Sequence, residues 1–217
     1  MAPVDDVVSE SRTASTAWVF VIVRAIPALI LGGAITFTAQ HAPALGLVSL
    51  GLFGLSTGVI LAASLVWAPQ ADGSRPVVLG QAIVLIAVGA VSLALPGAGL
   101  EFLVLTITAF AVITGFLELY LGVRKGRARA ERRDGVFLGA VTVLLALAVL
   151  IVPPGFVQST TGPDGVVREL TASVIIVGLL GAYWVVIGIY LVIAGLSLKW
   201  SGEPADPTTT VSTQTGA

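Results

Sequence analysis

The sequence contains no cysteine, a single histidine (His41) and a single methionine (Met1). The lack of cysteine excludes disulfides, thiolate catalysis and any metal or iron–sulfur site with cysteine ligands within the chain. One histidine also excludes a metal or haem site that needs several histidines. We therefore expect neither a metal ion nor another cofactor.

Charged residues are scarce too. They make up 11% of the 217 residues, whereas 56% are hydrophobic. A soluble domain contains about 25% charged residues, and a chain with so few cannot cover a water-facing surface. A soluble enzyme, a nucleic-acid-binding protein and a disordered chain all fit this composition poorly. The composition predicts an integral membrane protein.

Long apolar runs predict an all-α membrane protein with six transmembrane helices, because about 20 apolar residues are needed for a helix to cross the hydrocarbon core. A β-barrel would alternate apolar and polar residues, and segment 136–152 is apolar on every side. The predicted spans lie near 17–39, 44–67, 76–95, 99–123, 134–153 and 171–198. Residues 1–16 form an N-terminal segment with mostly acidic charges, which a signal peptide would not have. Residues 199–217, rich in Pro, Thr, Ser and Gly, are expected to be a disordered tail.

The distribution of basic residues predicts the orientation. The loop between the fourth and fifth spans contains six of them, namely Arg124, Lys125, Arg127, Arg129, Arg132 and Arg133. With Arg12, Arg75 and Lys199, nine of the 11 basic residues lie on one predicted face, and the opposite loops hold only Arg168. Short basic loops stay in the cytoplasm, so both termini are predicted to be cytoplasmic. The same loop is a candidate site for anionic lipid headgroups, unless it only fixes the topology.

A weak internal repeat divides the spans into three tandem helical hairpins, 17–67, 76–123 and 134–198. An offset of 57 residues aligns Phe53 with Phe110 and Thr57 with Thr114, and an offset of 73 aligns Gly115 with Gly188. The difference of 16 residues is an insertion in the long outer loop of the third hairpin. The alternative is chance matching among common apolar residues.

With these features the chain resembles the HdeD-type acid-resistance membrane proteins, over about residues 17–198. The resemblance rests on Arg24-x-x-Pro27 followed by Leu31-Gly32, on Ile113-Thr114-Gly115-Phe116-x-Glu118 leading into Arg124, and on a span that ends at Pro153. It implies six spans in a bacterial inner membrane and, for some members, a link to acid survival. It supplies no catalytic residues. The third hairpin departs from the pattern through its longer outer loop and its lack of both charges.

Arg24 and Glu118 are charged residues inside predicted spans, where a central charge costs about 2.5–3.5 kcal/mol. Both lie roughly 8–10 Å from the face that carries the basic loops, at 1.5 Å of rise per residue. We therefore expect the first span to pack on the fourth and Arg24 to pair with Glu118. The pair could fix the packing or belong to a proton or ion pathway, or the two side chains could extend separately to the interface.

Small residues mark candidate packing faces. Gly32, Gly54, Gly58 and Gly115 occur in small-x-x-x-small spacings that let helix backbones approach closely. They predict packing within the bundle or an oligomer interface. Two titratable residues, His41 in the first outer turn and Glu101 near the outer end of the fourth span, are weak candidates for sensing mild acid and for an interfacial role, respectively.

These features lead to two functional hypotheses. The first is a non-enzymatic multi-pass membrane protein that is associated with acid or envelope stress and acts through membrane lipids, a second copy of itself or a membrane-protein partner. The second is a small transporter or channel subunit that uses Arg24 and Glu118 in an ion or proton pathway. No nucleophile–base pair or metal-ligand set occurs in the sequence, so we do not expect an enzyme.

Overall fold

The computed structural model describes residues 4–68, 73–124, 129–161, 163 and 167–201, with side chains for 18–68, 73–124, 132–161, 163 and 167–200. Six α-helices account for most of this chain. They are α1 (Val4–Phe37), α2 (Pro43–Trp67), α3 (Arg75–Ala94), α4 (Leu100–Val123), α5 (Arg129–Ile151) and α6 (Ala172–Ser201). All six contain a segment that is long and apolar enough to cross a membrane. The predicted six-helix membrane class is thereby confirmed.

The helix ends agree closely with the predicted spans, and two differences concern the flanks. Helix α1 begins at Val4, so most of the predicted N-terminal segment is helical, although its apolar part begins at Trp18. Helix α6 continues to Ser201, which places the first residues of the predicted tail 199–217 in a helix. The remainder of that tail lies outside the described residues.

Two short strands follow α5, and the sequence did not predict them. Strands β1 (Val157–Thr161) and β2 (Val167–Thr171) pair antiparallel, with Val157 opposite Thr171 and Thr161 opposite Val167. Their many valine and threonine residues favour extended backbone. Residues 162 and 164–166, between the two strands, lie outside the described part of the chain.

The helices form a closed ring in which the closest neighbours are α2 with α3, α4 with α5, and α6 with α1. The two helices of each predicted hairpin also touch, but less extensively. Helix α2 contacts both α4 and α6 as well, so these three helices lie toward the centre of the bundle. The most extensive packing is therefore between successive hairpins, and the last hairpin packs back onto the first.

Glycines make this close packing between helices feasible. A Cβ on Gly58 would lie 2.7 Å from Ile86 Cγ1, and one on Gly115 would lie 2.8 Å from Val143 Cγ2. At the third interface, a Cβ on Gly188 would lie 2.6 Å from Leu29 Cγ. The positions aligned by the 57- and 73-residue offsets thus make matching contacts in the three interfaces.

The other two predicted packing glycines also face neighbouring helices of the chain. A Cβ on Gly32 would lie 2.9 Å from the backbone nitrogen of Val185, and one on Gly54 would lie 2.6 Å from the carbonyl oxygen of Leu85. All four predicted glycines therefore lie at interfaces inside the bundle.

Candidate functional site

The charged residues predicted inside the spans meet at the centre of the bundle. Arg24 Nη2 lies 2.6 Å from Glu118 Oε1, and 20% of the arginine side chain and 9% of the glutamate side chain are exposed. Helix α1 packs mainly against α6 and α2 rather than against α4, contrary to the expected packing of the first span on the fourth. The long arginine side chain bridges this separation.

Glu118 has a second donor that was not predicted from the sequence. Gln81, in α3, is fully buried, and its Nε2 donates to the same Oε1 atom over 2.9 Å. The sequence could have pointed to Gln81, because the 57-residue offset places it at the position that Arg24 occupies in the first hairpin. One carboxylate on α4 is therefore held by donors from α1 and α3.

A cavity of about 20 Å³ adjoins this cluster, and all six helices contribute to its wall. Its polar lining residues are Arg24, Thr57, Gln81, Thr114, Glu118, Thr142 and Tyr183. Its apolar lining residues are Phe53, Leu85, Phe110, Leu138 and Ile187. The polar side chains of the bundle centre thus converge on one small space.

Hydrogen bonds fix the orientation of several hydroxyl groups in the polar wall of the cavity. Thr142 donates to the carbonyl oxygen of Leu138 over 2.7 Å, so the hydroxyl of Tyr183 is the donor in its 2.9 Å contact with Thr142. Thr114 donates to the carbonyl oxygen of Phe110 over 2.6 Å. In contrast, the buried Oγ1 of Thr57 has no hydrogen-bond partner in the described chain.

Aromatic rings close the side of the cavity that faces away from the basic loops. Phe53 and Phe110 meet edge to face with ring centroids 6.0 Å apart, and Phe110 and Tyr183 do so at 6.4 Å. Trp184 lies against Phe53 at 5.1 Å, is fully buried, and its Nε1 has no partner among the described residues. Its burial and its contact with Phe53 place the Trp184 ring in the packed centre of the bundle.

The predicted basic loop is only partly described. The guanidinium of Arg124 donates to the carbonyl oxygen of Gly73, which joins the end of α4 to the segment before α3. Arg132 Nε approaches the carbonyl oxygen of Gly122 at 3.5 Å, and Arg133 is exposed. The side chains of Lys125, Arg127 and Arg129 lie outside the described residues. Two of the three described arginines thus contact backbone carbonyls.

The predicted outer-face residues lie away from the central cluster. Glu101 is exposed in the first turn of α4. The carbonyl oxygen of His41 accepts a hydrogen bond from the Ser173 hydroxyl at the start of α6. Neither residue lines the cavity beside Glu118.

A second polar contact, not predicted from the sequence, lies near the basic end of the bundle. Tyr190 in α6 donates to Asp134 Oδ1 over 2.6 Å, and its ring stacks on Phe137 with centroids 4.0 Å apart. The sequence feature that could have indicated this contact is the charged residue Asp134 at the start of the fifth predicted span. This contact ties α5 to α6.

Comparison of the chain with protein-family models, curated proteins and solved structures finds no match. Among the described residues, no group of three or more histidine, aspartate or glutamate side chains is placed to hold a metal ion. The fold and the site thus define a six-helix membrane protein with one central polar cluster.

Proposed function

We propose that the protein is a non-enzymatic multi-pass membrane protein that acts through contacts with lipids or protein partners, and that its central polar cluster stabilises the bundle. The proposal rests mainly on the two donors that hold Glu118. Glu118 Oε1 accepts from both Arg24 and Gln81, so the carboxylate is neutralised and held in place by its own chain. A carboxylate that carries protons or ions has to exchange its partners.

The packing beyond the cavity supports the same proposal. The central helices fill the half of the bundle away from the basic loops with large, fully buried apolar side chains, namely Leu47, Leu50, Leu103, Ile107, Ile176 and Leu180. Proton and ion pathways in membranes are usually lined by several ionisable or polar groups. The cluster at Glu118 is thus separated from the opposite face by closely packed hydrocarbon.

The experiment that tests this proposal measures ion and proton flux in liposomes that contain the purified protein. We expect no flux above that of empty liposomes, and no change on Glu118→Gln. Lipids and proteins retained through purification are then identified by mass spectrometry, with Glu118→Gln as the comparison. Flux that disappears in Glu118→Gln would refute the proposal.

The second candidate function is a small transporter or channel subunit with Glu118 in its pathway. The observation in its favour is the polar cavity beside the ion pair. Polar side chains line this cavity from Arg24 to Thr57 and Tyr183. The flux measurement separates the two functions directly.

We further propose that the chain is an HdeD-like protein of a bacterial inner membrane, with cytoplasmic termini and three repeated hairpins. Matching glycine contacts in the three helix interfaces support the repeat, and the basic loops support the orientation. An acid- or envelope-stress role rests on the resemblance alone. Deleting the gene and measuring survival after an acid shock tests it, and unchanged survival would count against that role.

A further inference from the structure

The cavity lies where three aligned positions from the predicted repeat come together. Phe53, Phe110 and Tyr183, one from each central helix, are related by the 57- and 73-residue offsets, and all three line the cavity. Arg24, Gln81 and Leu138 on the peripheral helices also line the cavity, and the 57-residue offset alone relates these three positions. The cavity is therefore at the axis around which the helices are arranged, where three central helices leave a gap.

Two equivalent threonines behave differently at this axis. Thr114 turns its hydroxyl back to the carbonyl oxygen of Phe110, four residues earlier, over 2.6 Å. Thr57, its counterpart in α2, is 0% exposed, lines the cavity and makes no such bond to its own helix. A buried hydroxyl without a partner is costly. Among the described residues, Ser92, Thr108 and Trp184 also have a buried polar atom without a partner, but none of these three lines the cavity. The position of Thr57 on the cavity wall therefore makes the cavity the place where its hydroxyl can find a partner.

Volume and charge identify this partner. The cavity holds about 20 Å³, and a buried water needs at least about 10–15 Å³ and two to four polar contacts. The positive charge of Arg24 already balances the negative charge of Glu118 at 2.6 Å. An additional ion would therefore bring an unbalanced charge into the bundle, whereas a neutral molecule would not.

We propose that the axial cavity binds one water molecule, which is the hydrogen-bond partner of Thr57 and links its hydroxyl to the polar wall around Glu118. The Oγ1 atoms of Thr114 and Thr142 have donated their protons to carbonyl oxygens. Thr114 keeps two lone pairs for a donor, and Thr142, which already accepts from Tyr183, keeps one. Such a water makes the cluster continuous from α2 to α4.

The sign of a stability change tests the proposal. Thr57→Val removes the hydroxyl and nearly keeps the volume, and valine and threonine have similar helix propensities. If water satisfies the hydroxyl, the variant loses a hydrogen bond and its Tm falls by about 2–4 °C. If the hydroxyl has no partner, removing it raises the Tm. An unchanged or raised Tm would overturn the proposal.

Two control variants test whether the fall in Tm of Thr57→Val comes from the loss of the water contact. Thr57→Ser retains the hydroxyl and should keep the water. Thr106→Val removes a buried hydroxyl that donates to the carbonyl oxygen of Phe102 and does not line the cavity, so it shows what losing a bond within one helix costs. The fall in Tm should be larger for Thr57→Val than for this control, and a fall of equal size would count against the water.

A direct measurement distinguishes water from a bound cation. In lipid nanodiscs, magnetisation transfer from water should reach the methyl group of Thr57 in the unmodified protein, and its absence would refute the water site. The Tm should be the same in sodium, potassium and choline salts at equal ionic strength. A Tm that rises with one of the metal cations, and no longer does so in Thr57→Val, would assign the cavity to that cation instead.

Discussion

Replacing both Arg24 and Glu118 by glutamine should destabilise the protein less than the sum of the two single replacements. The two atoms Nη2 and Oε1 are 2.6 Å apart. At an effective dielectric constant of about 20, their attraction is roughly 6 kcal/mol before the cost of dehydration. Removing one partner of a buried pair typically costs about 3–5 kcal/mol, because the other charge stays buried.

The two single variants should differ in magnitude. Arg24→Gln leaves a glutamate whose side chain is 9% exposed and has Gln81 as its remaining donor, so its cost should be at the upper end of that range. Glu118→Gln leaves an arginine that is 20% exposed, and its flexible stem can carry the charge toward the interface. We therefore expect the smaller loss for Glu118→Gln.

The assay is the free energy of unfolding in lipid bicelles for the unmodified protein, both single variants and the double variant. We expect a coupling energy of about 2–4 kcal/mol between the two sites. Arg75→Gln, an exposed residue at the start of α3, combined with Glu118→Gln, is the matched control and should be additive. A coupling below about 0.5 kcal/mol for the Arg24 and Glu118 pair is within the scatter of independent sites and would refute the reasoning.

Three further predictions follow from the helix contacts and the loops. Gly58→Val, whose Cβ meets Ile86 Cγ1 at 2.7 Å, should cost about 1–3 kcal/mol in the same unfolding assay, whereas Gly80→Val, with nothing within 4 Å, should cost little. Tyr190→Phe removes the 2.6 Å hydrogen bond to Asp134 and should lower the free energy of unfolding by about 1 kcal/mol. Single cysteines at positions 126 and 162 should react with a membrane-impermeant label from opposite sides of the membrane, and labelling from the same side would contradict the six-span topology.

Much of the fold follows from hydropathy, because each span is one continuous apolar run of sufficient length. The closure of the helices into a ring does not follow from hydropathy. A helix that is apolar on every side has no distinct face that would identify the helix next to it. The positions of the glycines indicate in part which helices pack against each other. Gly58, Gly115 and Gly188 occupy aligned positions, and each faces the next hairpin rather than its own. The short strands after α5 were missed because a run of five residues has too little pattern to distinguish from a loop.

For the central cluster, depth in the membrane proved more informative than helix adjacency. The similar distance of Arg24 and Glu118 from one face and their opposite charge predict that they pair, and they meet although α1 and α4 are not principal neighbours. Depth alone did not select Gln81, since an uncharged amide gives no electrostatic signal. Its position 57 residues after Arg24 did contain that signal. Arg24, Gln81 and Glu118 line the same cavity, so the two donors at positions 24 and 81 can reach one carboxylate on the central helix α4.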